Sequence, residues 1–471
     1  MAKTSDPPSP KASDFALRAS SDASAGGHKR FSPGLLGWVL FEWARNPYVL
    51  VITIYIYATY FTRDIVGDPV RGQALWAAIQ GYAGIGVAVL APFLGAIADA
   101  GGRRKPWVAF FAVLLALSTA TLWFGEPAGR GIGLAGIAMA VAFSNIAYDG
   151  SLVFHAAMLP GLAPRKRLGR WSGAGYALGN VAGIVLLVLV LTLFYLPQHP
   201  LFGLNRASHE TERIAGPLCA LWFAAFAWPF FVFTPDRPSN PVPALQMVRQ
   251  GLVSVLGTLR RVREHRNTAI FLLSRMIYND GQNVMLAFGG VYAAGVFHWG
   301  ATESAVYGII LSVFAALGGW LGGNLADRIG TKRALGWSLA VMIVAAIASL
   351  GFAPDRLFFF VTYPAGKAVI ASPLFRTAPE LLYISTVMVI AVALVATYAN
   401  SRAMMARLAP EAHVTEFFGL YALSGEASAF VAPLAVSLAT TMSGSQQWGM
   451  AVIVAFLAAG WLGLSFVKDS P

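Results

Sequence analysis

The chain has 471 residues, of which 57% are hydrophobic and 12% are charged, and its mean hydropathy is +0.62. Because a soluble domain usually carries roughly a quarter charged residues, this composition excludes an ordinary soluble protein and predicts a polytopic membrane protein. The net charge of +12 comes from basic residues that cluster in short segments between apolar runs, which is typical of membrane topology and argues against a nucleic-acid partner.

Cysteine and histidine usage gives no sign of a disulfide or a metal site. The single cysteine, Cys219, lies inside an apolar run, so no intrachain disulfide is possible. The seven histidines are scattered without metal-ligand spacing. We therefore predict no metal and no cofactor.

The N-terminal segment 1–33 is polar, rich in Ser, Ala and Pro, and without the apolar stretch of a signal peptide, so we predict a disordered cytoplasmic tail. Twelve apolar runs follow, and about 20 helical residues suffice to span a bilayer. Ten-residue alternation is absent, so the runs are predicted to be helices and not barrel strands. Their spans are 34–61, 73–98, 106–125, 131–158, 171–196, 215–234, 269–297, 302–326, 334–353, 381–406, 415–440 and 447–467.

The twelve runs divide six plus six around a middle segment, 235–268. We predict a six-helix bundle over 34–234, a second over 269–467 and a short cytoplasmic tail at 468–471. The middle segment opens with the Pro-rich "TPDRPSNPVP" and continues as an amphipathic sequence, which favours a cytoplasmic linker with a helix on the membrane surface. The predicted fold class is an all-α membrane protein.

The first run carries two charges in "LFEWARNPY", Glu42 and Arg45, followed by Asn46 and Pro47. Each charge at mid-membrane costs at least about 2.5–3.5 kcal/mol. Their three-residue spacing places both on one helix face, where they can pair. They are either a structural pair or, as we favour, a cavity-lining pair that opens to bind a zwitterion or a proton.

The fourth run places Asn145, Tyr148 and Asp149 on one polar stripe. We interpret Asp149 as a transport residue, with a structural partnership to Arg45 as the alternative. His155 lies nearer the cytoplasmic surface, and we interpret it as a satisfied interfacial residue in preference to a proton relay.

The seventh run holds the densest polar cluster of any run, around Gly281, which we expect to loosen or break the helix. Further polar residues lie in the tenth and eleventh runs. Intramembrane polar groups of this kind are functional candidates. In this half of the chain we assign to the substrate cavity or to proton coupling Tyr278, Asn279, Asp280, Asn283, Asn400 and Glu426.

Two loop segments repeat one pattern, G-x-x-A-D-x-x-G followed by basic residues. "GAIADAGGRRKP" follows the second run and "GNLADRIGTKRA" the eighth, with 228 residues between their aspartates. Such a repeat in both halves is the signature of a transporter built from two pseudo-symmetric six-helix bundles. The residues that form the pattern are Gly95, Asp99, Gly102, Arg103 and Arg104 in the first copy and Gly323, Asp327, Arg328, Gly330 and Lys332 in the second.

The distribution of Lys and Arg predicts that both termini are cytoplasmic, because the basic connections then all face inward. The segment 354–380 is the exception, since it places Asp355, Arg356, Lys367 and Arg376 outside. It is long and partly apolar, and it is either a re-entrant or interfacial piece or a misassigned membrane helix.

The repeated loop resembles the signature of the major facilitator superfamily. The stretches "LFEWARNPYVLVI", "RMIYNDGQNVMLAFGGVYAAG" and "EFFGLYALSGEASAFVAPL" resemble its vacuole-effluxer-like branch, which has many bacterial members. The resemblance implies a cytoplasmic gating role for the repeated loops, with Ala100 departing from the usual basic residue. It also implies export of amino acids or similar solutes, a monomer, and, for this chain, the bacterial inner membrane.

We therefore expect a twelve-helix secondary transporter that moves a small polar or zwitterionic, amino-acid-like solute by alternating access. Buried carboxylates favour proton coupling. The partners would be this solute, protons and the lipid bilayer. The alternative is a membrane scaffold or an enzyme with a transporter-like body. No P-loop, nucleophile elbow or paired histidines support an enzyme.

Overall fold

A computed structural model of the chain describes residues 32–99, 103–163, 168–236, 265–408, 420–421, 424–425 and 427–468. The predicted tail 1–31, most of the middle segment with its amphipathic helix (237–264), and Glu426 lie outside these residues.

The first span is a series of short helical pieces. Helix α1, Pro33–Arg45, is followed by a π-helical stretch, Val49–Tyr55, then by α2, Tyr57–Tyr60, and a second π-helical stretch, Phe61–Ile65. Pro47 explains the end of α1, because a proline has no N–H and its ring clashes with the carbonyl four residues earlier. The predicted interruption at this proline is present.

The rest of the N-terminal half consists of helices joined by short 3₁₀ turns and one further π stretch. The helices are α3 (Pro69–Asp99), α4 (Lys105–Ala120), α5 (Gly133–Leu162), α6 (Leu168–Val190), α7 (Glu210–Arg213) and α8 (Ala215–Phe233). The 3₁₀ turns are Thr121–Phe124, Pro127–Gly129 and Leu201–Gly203, and the π stretch is Leu191–Tyr195.

The C-terminal half is helical apart from one small hairpin. Its elements are α9 (Arg266–Phe297), α10 (Ala301–Ile329), α11 (Thr331–Leu350), β1 (Arg356–Leu357), β2 (Val361–Thr362), α12 (Ala378–Leu408), α13 (Val431–Ser443) and α14 (Gln446–Ser465). The two strands are antiparallel, with Leu357 opposite Val361.

Helices of the two halves pack in matching pairs. In the N-terminal half α1 packs on α8, α3 on α5, and α4 on both α5 and α8. In the C-terminal half α9 packs on α14, α10 on α12, and α11 on both α12 and α14. This repeated pairing is the arrangement that an internal repeat requires.

Nine helices in the described part of the chain are long and apolar enough to cross a membrane. Three predicted spans are not among them, for different reasons. The run 34–61 is broken into pieces, and the run 269–297 carries the polar cluster of α9. The eleventh run, 415–440, is only partly among the described residues, and the helix α13 described there has 13 residues. The membrane class is confirmed, and the number twelve stays a prediction.

One local expectation is wrong, and one of two alternatives is excluded. Helix α9 is continuous through Gly281, whose missing side chain lets α14 pack closely: a Cβ there would lie 3.1 Å from the Cβ of Phe456. Nor is the segment 354–377 a membrane helix. It forms the β1–β2 hairpin and irregular chain, in which Phe360 is 87% exposed.

The two halves are joined by hydrogen bonds at one end of the molecule, which we call the closed end. Each bond connects a residue of the first or second span to one near the start of α10, the end of α13 or the start of α14. The bonds are Gln73 Nε2 to Thr440 Oγ1 at 3.1 Å, Gln446 Nε2 to the Pro69 carbonyl at 3.0 Å, and Arg63 Nη1 to the Trp299 carbonyl.

Candidate functional site

A buried ion pair lies where the first span is interrupted. Arg45 is the last residue of α1, and its Nη2 donates to Oε2 of Glu42 at 2.7 Å. The side chain of Arg45 is 3% exposed and that of Glu42 11%. The pairing that their three-residue spacing predicts is therefore present, almost completely removed from solvent.

Helix α5 supplies the other contacts of this arginine. Nη1 of Arg45 donates to the carbonyl oxygen of Tyr148 at 3.3 Å, and the guanidinium carbon lies 4.2 Å from the centre of the Tyr148 ring. This cation–π geometry suits a desolvated arginine. Asp149 is half-buried beside it, and its charge also acts on Arg45. Tyr148 and Asp149 thus lie next to the pair, as the polar stripe predicts.

A chain of amide and hydroxyl groups continues from Tyr148. Its hydroxyl donates to Oδ1 of Asn46 at 3.2 Å, and Nδ2 of Asn46 donates to Oδ1 of Asn180 on α6 at 3.1 Å. Asn46 occupies the gap between α1 and the first π stretch, where backbone regularity is lost. Asn180 was not assigned to the site from the sequence, because a single amide within an apolar run does not indicate a function.

Asn145 is the third member of the predicted stripe. It accepts from the hydroxyl of Tyr48 at 2.9 Å and donates to Oε1 of Gln80 on α3. The rings of Tyr48 and Tyr148 lie 5.7 Å apart. Four segments of the N-terminal half therefore contribute to one polar cluster, which we call the N-cluster: Glu42, Arg45, Asn46, Tyr48, Gln80, Asn145, Tyr148, Asp149 and Asn180.

His155 borders the N-cluster, and its interpretation as an interfacial residue stays a prediction. Its side chain is fully buried. The imidazole stacks on Trp38 with ring centres 4.5 Å apart and an interplanar angle of 8°, and Nδ1 lies 3.3 Å from Oε1 of Glu42. One sequence signal was available, because a spacing of seven residues places His155 on the same face of α5 as Tyr148.

Glycines of α6 bring that helix close to the ion pair. Gly175, Gly179 and Gly183 recur every four residues, so they share one face. A Cβ at Gly175 would lie 3.3 Å from Cγ of Glu42, and one at Gly179 would lie 3.1 Å from the Glu42 carbonyl oxygen. This small-residue face allows the backbones of α1 and α6 to approach.

Replacing Gly179 by valine should lower the melting temperature of the purified protein clearly, because even a Cβ there would lie 3.0 Å from the Cβ of Asn46. Overpacking of this kind costs about 1–3 kcal/mol. Gly161→Val is the matched control, since a Cβ at that position has no neighbour within 4 Å. Equal melting temperatures of the two variants would contradict close packing of α6 on α1.

The predicted residues of α9 form a second cluster, within the C-terminal half. The hydroxyls of Tyr278 and Tyr421 both donate to Oγ of Ser401 on α12, at 2.9 and 3.1 Å. Asn279 donates to the carbonyl of Gly425 at 3.2 Å. Oδ1 of Asn283 accepts from the hydroxyl of Tyr398, also on α12, at 3.4 Å. We call this group the C-cluster: Tyr278, Asn279, Asn283, Tyr398, Ser401 and Tyr421.

Arg275 joins the C-cluster one turn before Tyr278. Its Nη1 donates to the Tyr421 carbonyl at 2.6 Å and to Oγ of Ser424 at 2.7 Å, and its guanidinium lies 3.7 Å from the centre of the Tyr421 ring. Asp280 and Asn400 are buried on α9 and α12. In both halves an arginine of the first helix is thus held on the face of a tyrosine.

The first copy of the repeated loop is partly described. Gly95 and Asp99 belong to the last turns of α3, Gly102 lies outside the described residues, and Arg103 is exposed. Arg104 is buried and donates to the Ala157 carbonyl of α5. The carboxylate of Asp236 accepts from the backbone N–H of Arg104 at 2.9 Å and caps the start of α4.

The second copy of the repeated loop is a tight turn between α10 and α11. Asp327 and Arg328 are exposed at the end of α10, and Lys332 is half-buried in the first turn of α11. Gly330 connects the helices with φ of +87°, which L-residues rarely adopt. The backbone conformation at this turn therefore favours the glycine that the repeated pattern has at position 330. Gly323 lies two turns earlier, with open space at its Cβ position.

Comparison with known proteins identifies the family. The sequence profile described as "Vacuole effluxer Atg22 like" matches residues 65–470. The chain belongs to the Atg22-like family. The uncharacterized MFS-type transporter YxiO of Bacillus subtilis (strain 168) is 23% identical over 94% of this chain and 96% of its own length. Autophagy-related protein 22 of Cryptococcus neoformans var. neoformans serotype D (strain JEC21 / ATCC MYA-565) is 24% identical over 61% of the chain, which spans about half of that protein (48%).

Solved structures agree at the level of the fold. The nucleoside transporter NupG, in a mutant form, superposes with a TM-score of 0.63 at 11% identity and covers 92% of this Atg22-like chain and 100% of its own. A D-xylose–proton symporter superposes with a TM-score of 0.61 at 12% identity over 93% and 96%. The Atg22-like chain is therefore an integral membrane transporter of the major facilitator type.

Proposed function

We propose that this transporter moves a small zwitterionic, amino-acid-like solute by alternating access and that protons drive the movement. The observation that carries the proposal is the buried Glu42–Arg45 pair within the N-cluster. The two side chains are held 2.7 Å apart. If they separate, Arg45 can bind the negative group of a solute and Glu42 its positive group. An ion pair that only stabilises the fold does not need adaptable amide side chains around it. The N-cluster contains such amides, which favours a binding role.

Each charge has a defined role in this proposal. Arg45 offers a planar fork of donors to a carboxylate, which arginine binds better than lysine does. Glu42 accepts the ammonium group of the solute. Asn46 and Asn145 supply donors and acceptors that can rearrange around the rest of the molecule. The net charge of the site then stays constant as the solute enters, which limits the electrostatic cost.

The C-cluster supplies the opposite wall of the proposed cavity. Tyr278, Asn279 and Asp280 lie in one turn of a continuous helix and Asn283 in the next, so a solute that leaves the N-cluster would meet another polar surface. We assign Asn400 to the same wall, and Glu426, which lies outside the described residues, is assigned to it from the sequence alone. Binding between two pseudo-symmetric halves is the arrangement that alternating access uses.

The closed end would face the outside, because the basic loops would then face the cytoplasm. The structure would accordingly represent a state closed to the outside. Export, the bacterial inner membrane, cytoplasmic termini and a monomeric state are parts of the same proposal, supported by the family membership and by the distribution of basic residues.

A thermal-stability screen followed by flux measurements tests the proposal. Purified protein is heated with each of the common amino acids and related zwitterions, and we expect selective stabilisation by a few of them. Stabilising compounds are then tested in proteoliposomes with and without a pH gradient. The gradient should increase their flux.

Two control compounds sharpen the result. For any stabilising amino acid, the matching amine and the matching carboxylic acid each retain one of the two charges, so neither should stabilise the protein as well. Stabilisation by either analogue to the same extent would contradict recognition of a zwitterion. Flux that is unchanged by a pH gradient of either sign would contradict proton coupling.

A further inference from the structure

The hydrogen bonds of His155 determine where one of its protons lies. Nε2 lies 2.9 Å from the carbonyl oxygen of Trp38. A carbonyl oxygen only accepts, so Nε2 carries a hydrogen and donates it. In a neutral imidazole the other nitrogen, Nδ1, is then a bare acceptor. That nitrogen lies 3.3 Å from Oε1 of Glu42, which as a carboxylate is also a bare acceptor.

Two acceptors at this distance in a buried site repel each other unless a proton lies between them. The proton is on Nδ1, which makes an imidazolium beside a carboxylate, or on Oε1, which makes a carboxylic acid beside a neutral imidazole. In both cases the pair holds one proton more than a carboxylate and a neutral imidazole hold together.

The surroundings of this pair contain few other charges. On α1, Arg45 holds Oε2 of Glu42, and on α5 Asp149 acts on that arginine from further away. Helix α8 presents the ring of Phe230 to the imidazole at 5.5 Å, and α6 presents Gly175 to Glu42. From the start of α4, the buried Arg104 donates to the carbonyl of Ala157, two residues beyond His155. Arg45, Asp149 and Arg104 are therefore charges to include in any titration of the pair.

We propose that Glu42 and His155 form one proton-binding site and that this site carries the coupling proton. The second part rests on the proposed proton-driven transport, and the first part does not. The imidazole is completely buried, whereas the Glu42 side chain keeps 11% exposure, so the proton enters and leaves through the carboxylate.

Proton binding also changes what Arg45 can do. When the proton is present, it compensates the negative charge of Glu42, and the guanidinium becomes available to the carboxylate of a solute. When the proton leaves, Nδ1 and Oε1 repel each other, and Glu42 turns fully to Arg45. The same carboxylate thus links the proton to the solute-binding arginine.

Trp38 provides an optical reporter for the test, because a protonated imidazole stacked on an indole quenches its fluorescence. In detergent-solubilised protein, tryptophan emission is measured between about pH 8 and about pH 5, where histidine ordinarily titrates. Infrared difference spectra over the same pH steps record the carboxylic acid form of Glu42. We expect emission to fall in one step as the pH falls, or a carboxylic acid band to rise instead.

Variants assign the signal. The fluorescence step should be absent from Trp38→Phe, which keeps the backbone carbonyl, and from His155→Gln. Glu42→Gln should remove the infrared band and remove the fluorescence step or shift it to another pH, because its amide can donate to Nδ1. A step at the same pH in Glu42→Gln would overturn a shared site. The absence of a step in both signals of the wild-type protein would also overturn a shared site. This outcome does not depend on whether any variant folds.

Flux separates this proposal from the proposed function. With a solute from the stability screen, a pH gradient should stimulate flux in the wild type and lose that effect in His155→Gln. Proton-driven flux in a protein without the spectroscopic step would overturn the site alone. A spectroscopic step together with flux that ignores the pH gradient would overturn the coupling role and leave the binding site standing.

Discussion

At a pH above that at which the Glu42–His155 site releases its proton, replacing Arg45 by glutamine should lower the free energy of unfolding by about 3–5 kcal/mol, because Glu42 is then left as an uncompensated buried charge. Glu42→Gln should have a similar effect, since Arg45 is 3% exposed and would keep its charge. The double variant removes both charges and should be more stable than either single variant. Melting temperatures of the four proteins in one detergent measure the coupling.

Flux in the same four proteins decides what the pair is for. If the pair binds the solute, the double variant should be stable and inactive. A stable double variant that transports at the wild-type rate would show that the pair only holds the helices together. Double-variant destabilisation equal to the sum of the two single effects would contradict the ion pair itself.

Replacing Gly449 by valine should trap the transporter with its closed end open. A Cβ at this position would lie 1.9 Å from Oγ1 of Thr440 and 2.9 Å from Nε2 of Gln73, which are the atoms that join the two halves. Thr440 belongs to the same half as Gly449, so its contact costs stability in both states, whereas the contact with Gln73 of the other half is relieved on opening. If an overpacking cost of about 1–3 kcal/mol falls on the Gln73 contact, the ratio of closed to open states decreases roughly five- to 150-fold. Solute flux should fall accordingly.

A cysteine reporter follows this change. Ala74 is 8% exposed at the closed end, so an Ala74→Cys background should react slowly with a membrane-impermeant thiol reagent and faster once Gly449→Val is added. The natural Cys219 is buried and contributes little reactivity. Gly336→Val is the matched control, with no atom nearer than 3.8 Å to its Cβ position. Equal reactivity in both backgrounds would contradict an opening.

The class of protein and the family could be predicted because both depend on local sequence. Apolar runs, basic loops and the repeated turn are each contained in a few consecutive residues. The contact of Glu42 with Arg45 is equally local, since three residues separate them on one helix. Pro47 ends α1 for a reason that belongs to the residue itself.

His155 could not be assigned in this way, because its partners come from a helix that lies 117 residues away in sequence at Trp38. Whether a histidine near a helix end faces lipid or protein depends on the rotation of that helix in the bundle. The expectation that Gly281 loosens or breaks its helix was wrong for a related reason. A glycine weakens a helix only when nothing packs against it, and here α14 occupies the space.

The two π-helical stretches of the first span give this segment a mechanical property. A π turn contains one residue more than an α turn, so converting it to α-helix advances the register by one position and rotates the remainder of the span by about 100°. Tyr55 packs against Gly290 and Gly308 at the end of the first stretch, and Arg63 reaches Trp299 from the second. A shift of one residue would turn these side chains away from the other half. Such a conversion would break contacts of the closed end that lie after α1 in the chain, whereas Glu42 and Arg45 lie within α1.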